Sequence, residues 1–407
     1  MKTFLNSHAT PAQRLGAAAT LALAFLASHA LAAAPAAPAA PAVDGGVAGL
    51  AQLANGKIVG LSDAAVPLPR PGADPSAEIN ALLKAPLSAE AAVRIALLNN
   101  PGWQAALAGA GVGISDAALN TSPAKRKALQ ALTLLSAQAR KAWIEAVAAA
   151  QSAAALQQAQ ETALAAGDLA RRMTQAGNIS KLQQAQAQLA LSDATLQQAK
   201  AQQAAFNARE QLIVTLGLWG EQTRFALPTE LPALPPQPQE LPDIENRALR
   251  EAMNLRLARS QWQLQQASQP RPASADALWD AMGEAAAVRA LAVGTRSQAR
   301  QVYNNYRSAY DVARHYQNEV LPLRQFVNDE IMLRYNGMLL SVFDLLADTR
   351  AKAQATSSAI DAQRDFWLAE ADLQTLLAGA PVALSAAPAA GANASPSGEA
   401  ATGAAGH

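Results

Sequence analysis

Two carboxylates, Asp344 and Asp348, stand four residues apart in the stretch RYNGMLLSVFDLLADTR, residues 334–350. On a helix that spacing puts both on one face, about one turn apart. Such a pair can attract cations or share a proton. It can also do no more than solubilise a helix start, where negative charge suits the macrodipole. A Tyr-Asn-Gly break precedes the pair, and Met338, Leu339 and Leu340 make an apolar step between Gly337 and Ser341. Glycine suits any break of this kind, because it takes the left-handed conformation that ends a helix without a Cβ penalty. The three apolar residues need another reason, and exposed apolar groups at a turn point to a contact surface. Other chemistry is scarce. With no cysteine, disulfides, thiolate metal sites and a cysteine-anchored lipid are excluded. His8 and His29 fall near the N-terminus and His407 ends the chain, so His315 stands alone within the fold, too few for a metal site. No Ser-His-Asp set, metal-ligand spacing or phosphate loop stands out. Enzyme is therefore the weakest reading, and no cofactor is expected. The 32 Lys and Arg nearly balance the 31 Asp and Glu, which argues against a nucleic-acid partner.

The elements that must position these residues are helical. Aromatics are only 4% of a 407-residue chain rich in Ala and Gln, poor material for a wide globular core but well suited to long helices packed through small side chains. At the N-terminus Lys2 and Arg14 precede the apolar run LGAAATLALAFLA, and Ala30-Leu31-Ala32 has the small-x-small form of a cleavage site. Residues 1–32 therefore read as a secretory signal peptide. An uncleaved membrane helix is the alternative, but the run falls short of the roughly 20 residues a span needs. Residues 33–86 read as an Ala/Pro-rich flexible leader and 380–407 as a disordered tail.

Between them the chain repeats one plan. The proline run LPTELPALPPQPQELP, residues 227–242, stops helix and separates a first helical repeat (87–226) from a second (243–379). Each begins with a modest helix and a break, then sends out a long helix, a glycine turn and a returning long helix. Trp143 and Tyr303, Gly177 and Gly337, and Phe206 and Phe366 all lie 160 residues apart, which points to an internal duplication. In the first returning helix Leu182, Leu189 and Leu196 recur every seven residues, as do Ala185, Ser192, Ala199, Phe206 and Ile213. These are expected to be the two seams of a coiled coil. Leu346, Ala353, Ile360 and Trp367 keep the same spacing in the second. A helix from about Ala124 to Ala176 would run roughly 80 Å, too long for a compact domain.

With these features the chain resembles the TolC-like outer-membrane efflux proteins from about Leu87 to Gly379. The opening LSAEAAVRIALLNNPGWQAALAG with its Asn100-Pro101, the tip AGNISKLQQAQAQLA, the exit LGLWGEQTRFALPTELPALPP, and RSAYDVARHYQNEVLPLRQ with RYNGMLLSVFDLLADTR occur in the family's order, the last two like its metal-resistance branch. The resemblance implies an all-α chain of two antiparallel coiled-coil hairpins, a wall segment of a trimeric α-barrel. It implies docking of the tips, Gly177-Asn178-Ile179-Ser180 and Gly337-Met338-Leu339-Leu340-Ser341, onto a periplasmic adaptor that sits on an inner-membrane pump. It also implies an acidic entrance ring at Asp344, with Asp348 one step from the family's second aspartate. Like charges in such a ring would raise the apparent pKa of Asp344. Where the family inserts membrane strands, this chain instead runs through GISDAALNTSPAKRKALQALTLLSAQARKAW and PRPASADALWDAMGEAAAVRALAVG. Neither contains the 9–11 alternating residues a transmembrane strand needs. The competing reading is a periplasmic coiled-coil scaffold or regulator with no transport path.

Overall fold

The computed structural model describes residues 47–61, 66–69, 74–115, 123–268 and 274–383. The expected signal peptide, the first part of the leader and nearly all of the tail lie outside the described residues. Eleven α-helices and no strand occur among the described residues: α1 (Val47–Ala54), α2 (Ser76–Leu82), α3 (Ala89–Asn99), α4 (Pro101–Ser115), α5 (Pro123–Gln175), α6 (Lys181–Leu216), α7 (Ile244–Glu251), α8 (Met253–Ser268), α9 (Ala275–His315), α10 (Leu321–Asn336) and α11 (Val342–Leu377). None is long and apolar enough to cross a membrane.

Local chemistry sets these boundaries. α5 opens on Pro123, where a missing N–H costs nothing, and ends before the left-handed Gly177. α9 passes into α10 through a π turn at Tyr316–Val320. Pro322 follows at once, and its ring and absent donor would otherwise break the ladder.

α6 packs along α5, α5 along α11, and α11 along α9 and α10. The long helices thus lie side by side, with α5 and α11 in the middle and α6 and α9–α10 at the flanks. The matched aromatics Trp143 and Tyr303 have comparable partners. Trp143 donates its indole N–H to the Leu87 carbonyl at 2.6 Å, and Tyr303 accepts from the Leu241 N–H at 3.3 Å. Each aromatic therefore pins the segment just ahead of the short helix, α3 or α7, at the start of its repeat. Phe206 and Phe366 share no such task. Phe206 is exposed, whereas Phe366 is fully buried among Tyr306, Tyr310 and Trp367. A closer pair is Gly217 and Gly379, both left-handed. A Cβ on Gly217 would come within 2.6 Å of the Asn99 carbonyl oxygen, and one on Gly379 within 2.1 Å of the Glu251 carbonyl oxygen. Each returning helix is thus plugged onto the helix break that opens its repeat. In the first repeat Asn99 and Asn100 seal the plug, donating their side-chain amides to the carbonyls of Gly217 and Thr215.

The α6 heptads are not used as expected. Leu182, Leu189, Leu196 and Phe206 are 58–70% exposed. The side of α6 that turns inward carries Ala187, Leu191, Ala194 and Gln198, with Leu191 meeting Gly167 of α5. Heptad spacing was present in both stripes, and the narrower Ala/Gln one lets the helices approach. In α11, by contrast, Leu346 and Ile360 are buried, because that helix has neighbours on both sides.

The leader also departs from expectation. Over its described residues it is packed: Leu50, Ala54, Val59 and Ile79 are at most 2% exposed. Its apolar residues punctuate the Ala/Pro composition often enough to bury against α3 and α5. At the other end Ala380 and Val382, expected to belong to the tail, are buried. The proline run is a belt. Pro232 accepts from Gln363 and Trp367, Tyr310 donates to Pro235 and Pro236, and the Gln239 N–H donates to Tyr306.

The α5–α11 joint carries two ion pairs, Arg140–Glu370 at 2.8 Å and Lys141–Asp372 at 2.5 Å. Burial pushes both carboxyls above their ordinary range, outweighing the cations that pull them down. A carboxyl raised in the folded state contributes stability that is present below its ordinary value, 4.5 for Glu370, and is lost as pH rises through the folded value. Glu370→Gln should therefore leave the urea midpoint near neutral pH unchanged or higher, and flatten its pH dependence above that value. Arg140→Ala, which strands a buried carboxylate, should cost about 3 kcal/mol in the same titration.

Candidate functional site

Both tips lie at one end of the molecule. Ala170 of α5, Ala187 of α6 and Leu346 of α11 form one buried cluster, with Ile179 and Phe343 packed against it. Arg350 of α11 pairs with Asp193 of α6 at 3.5 Å. Ala187, Leu346, Asp193 and Arg350 also border a groove of about 330 Å³ whose lining includes small side chains, among them Ala159, Ala163, Ala190 and Ala353.

The two turns have the same construction. In the first, the Asn178 N–H donates to the Met173 carbonyl and the Gly177 N–H to that of Thr174. In the second, Leu339 donates to Arg334 and Met338 to Tyr335. Each is a Schellman closure. The equivalent positions are therefore 161 residues apart, and Gly177 corresponds to Met338, not to Gly337. Gly337 has φ −79, in the ordinary region. Met338 takes the left-handed place, with φ +60, and is the one non-glycine residue with positive φ among those described. It is also 94% exposed, and Leu339 beside it is 77% exposed. A methionine held in a strained backbone conformation with its side chain in water gains nothing from either circumstance within this chain.

Serines begin both returning helices. Ser180 accepts from the Gln183 N–H while Gln183 reaches back to Ser180, and Ser341 and Asp344 make the same box. This fixes the role of Asp344 inside the chain. The Ser341 hydroxyl, and next its backbone N–H, hold the Asp344 carboxyl below its ordinary value within the single chain.

Asp348 is buried between helices. It is 5% exposed, because α11 turns this position toward α10, where Asn328 donates to it at 2.8 Å and Arg324 lies 3.5 Å away. Lys352 in turn donates to Asn328. The four-residue spacing was sound, but Asp344 bends back to its cap while Asp348 enters a polar network between helices. Arg324 and Asn328 were not singled out by sequence reasoning, although their own four-residue spacing on α10 was visible. The residues of the first tip, Gly177, Asn178 and Ser180, are exposed, and Ile179 is half-buried.

No family profile and no curated protein matches the chain by sequence. Solved structures do match it in fold. The chain is similar to CusC, a protein described by its transmembrane channel formation, with a TM-score of 0.53 at 15% identity over 72% of this chain and 95% of that one. It is similar to the CmeC outer membrane channel of Campylobacter jejuni, with a TM-score of 0.50 at 12% identity over 67% of this chain and 68% of the other. The fold of the chain is the TolC-like helical fold, and no barrel is present among the described residues.

Met338→Gly should relieve the left-handed strain and raise stability by about 1 kcal/mol, read as a higher urea midpoint with an unchanged slope. Asp344→Asn should leave helicity constant between pH 5 and 8 by circular dichroism. Asp344 is held below its ordinary value of 3.8, so its contribution is lost only as pH falls through that lower range.

Proposed function

We propose, taking the shared helical fold as premise, that the chain is one wall segment of a trimeric efflux duct whose tips dock on a periplasmic adaptor above an inner-membrane pump. The observation that carries this reading is the pair of unlike apolar edges. Along α6, Leu182, Leu189 and Leu196 are exposed, and along α10, Leu333, Phe326 and Leu323. Counted from the tip ends Ser180 and Asn336, the first set lies 2, 9 and 16 residues away and the second 3, 10 and 13. At 1.5 Å per residue the first two steps agree in height to within about 2 Å. Left in water, each edge forfeits about 25 cal/mol for every Å² of apolar surface. Contact of one copy's α6 with the next copy's α10 is heterologous, and a heterologous contact that closes gives a ring.

The exposed Met338-Leu339 step supports docking. Its apolar atoms gain burial, and its backbone strain a use, only against another molecule. The first tip, Gly177 to Ser180, lies at the same end and offers the more polar half of the surface. Asp344, on the exposed first turn of α11, is the remaining entrance carboxylate, one of its oxygens being engaged by Ser341. The signal peptide at 1–32 would deliver the chain across the inner membrane to the periplasm. The absence of strands among the described residues favours a second reading, a periplasmic scaffold built on the same wall with no pore of its own. Partition of the mature protein into the outer membrane distinguishes the two.

Sedimentation at micromolar concentration should give a trimer, whereas a stable, fully helical monomer would contradict the duct. Leu339→Asp should weaken capture by the cognate adaptor in a pull-down while leaving the helical signal intact. Unchanged capture would remove the docking role from this tip.

A further inference from the structure

The packed part of the leader does more than cover the core. Its residues 57–60 cross the line where the two repeats meet and touch both sides of it. Val59 is 2% exposed and clusters with Ala137 of α5 and Ala371 of α11, one residue from each repeat. The Val59 N–H donates to the Ser136 hydroxyl of α5 at 3.2 Å, a hydroxyl itself bonded to the Thr133 carbonyl. Lys57 pairs with Glu251, in the second repeat, at 3.4 Å. Gly60 has φ +85, and a Cβ there would lie 3.1 Å from both Cδ and Nη1 of Arg140. Arg140 is the residue whose guanidinium reaches Glu370 at 2.8 Å and Gln374 at 3.3 Å across the joint. The backbone at Gly60 therefore lies against the Arg140 side chain of the central ion pair.

We propose that residues 57–60 form a clasp that locks the two repeats together across the α5–α11 joint. The clasp and the proline belt lie over the same faces of the middle helices. On α5, Ser136, Arg140 and the belt contact Gln151 recur at helical spacing. On α11, Gln363, Trp367, Glu370, Ala371 and Gln374 do the same. Beyond the belt, toward the tips, the repeats meet around the groove through the Ala170–Ala187–Leu346 cluster and the exposed Arg350–Asp193 pair. The clasp thus secures the end of the joint from which the two tips extend. This inference does not depend on duct assembly and holds equally for a scaffold.

The test is hydrogen exchange followed by mass spectrometry on the full chain and on Gly60→Val, which adds a branched Cβ to a left-handed position. If the clasp locks the joint, exchange should quicken roughly 5–30-fold in α5 around Ser136–Ile144 and in α11 around Trp367–Thr375, as well as in the leader itself. If exchange quickens in the leader alone, the segment is a passive cover and the proposal fails. Should Gly60→Val not fold, the combined Lys57→Gln and Ser136→Ala variant, which removes two attachments without adding bulk, is read by the same two outcomes.

Discussion

The α5–α11 joint is the contact on which the rest of the molecule depends. Two helices from different repeats lie against each other there, with alanines at the contact and charged pairs along it. Small side chains allow close approach, but they bury little area per residue and leave polar neighbours partly dehydrated. The raised carboxyls of Glu370 and Asp372 are the signature of that compromise. What the joint lacks in apolar area is made up from outside it. The leader lies over one stretch of it, the proline run over another, and the aromatic group Tyr306, Tyr310, Phe366 and Trp367 beside it. The small apolar area of the joint explains why the proline run and the described residues of the leader are packed against it.

A wall one helix thick also has edges. A globular bundle would fold its fourth helix back to cover the first. Here α5 and α11 occupy the middle, and α6 and α9–α10 are left with apolar stripes facing outward. The stripes are unlike in sequence and matched in height, a combination that suits head-to-tail closure better than a two-fold dimer, whose interface must be self-complementary. The same economy governs the tips. Each is closed by its own Schellman turn and capping box, and Met338 and Leu339 of the second stay exposed.

Much of the architecture was legible in the sequence because it is punctuated by residues with hard backbone preferences. Pro123 and Gly177 delimit α5 within a residue or two of the expected span, and the prolines of 227–242 divide the repeats. The misreadings came from features for which the sequence offered two equivalent answers. Both stripes of α6 keep a seven-residue period, and only the position of α5 decides that the alanine stripe faces inward. The Gly177–Gly337 match looked secure because glycine is the usual left-handed residue. One additional residue in the second turn moves that role to Met338, as the backbone hydrogen bonds reveal. Asp344 and Asp348 shared a face on paper, and the neighbour α10, unseen in sequence, claims one of them. The leader looked flexible by composition, and its few valines, leucines and isoleucines proved enough to fasten its described residues.

The central claim is that the two apolar edges meet between copies, and the cysteine-free chain allows a direct test. Leu189→Cys on α6 and Phe326→Cys on α10, at matching height, can be introduced together and oxidised under mild conditions in native membranes or in purified protein. The account predicts a covalent ladder of one, two and three chains that stops at three and requires both cysteines. A doubly substituted protein that stays a single chain, or a ladder that continues past three, would contradict it.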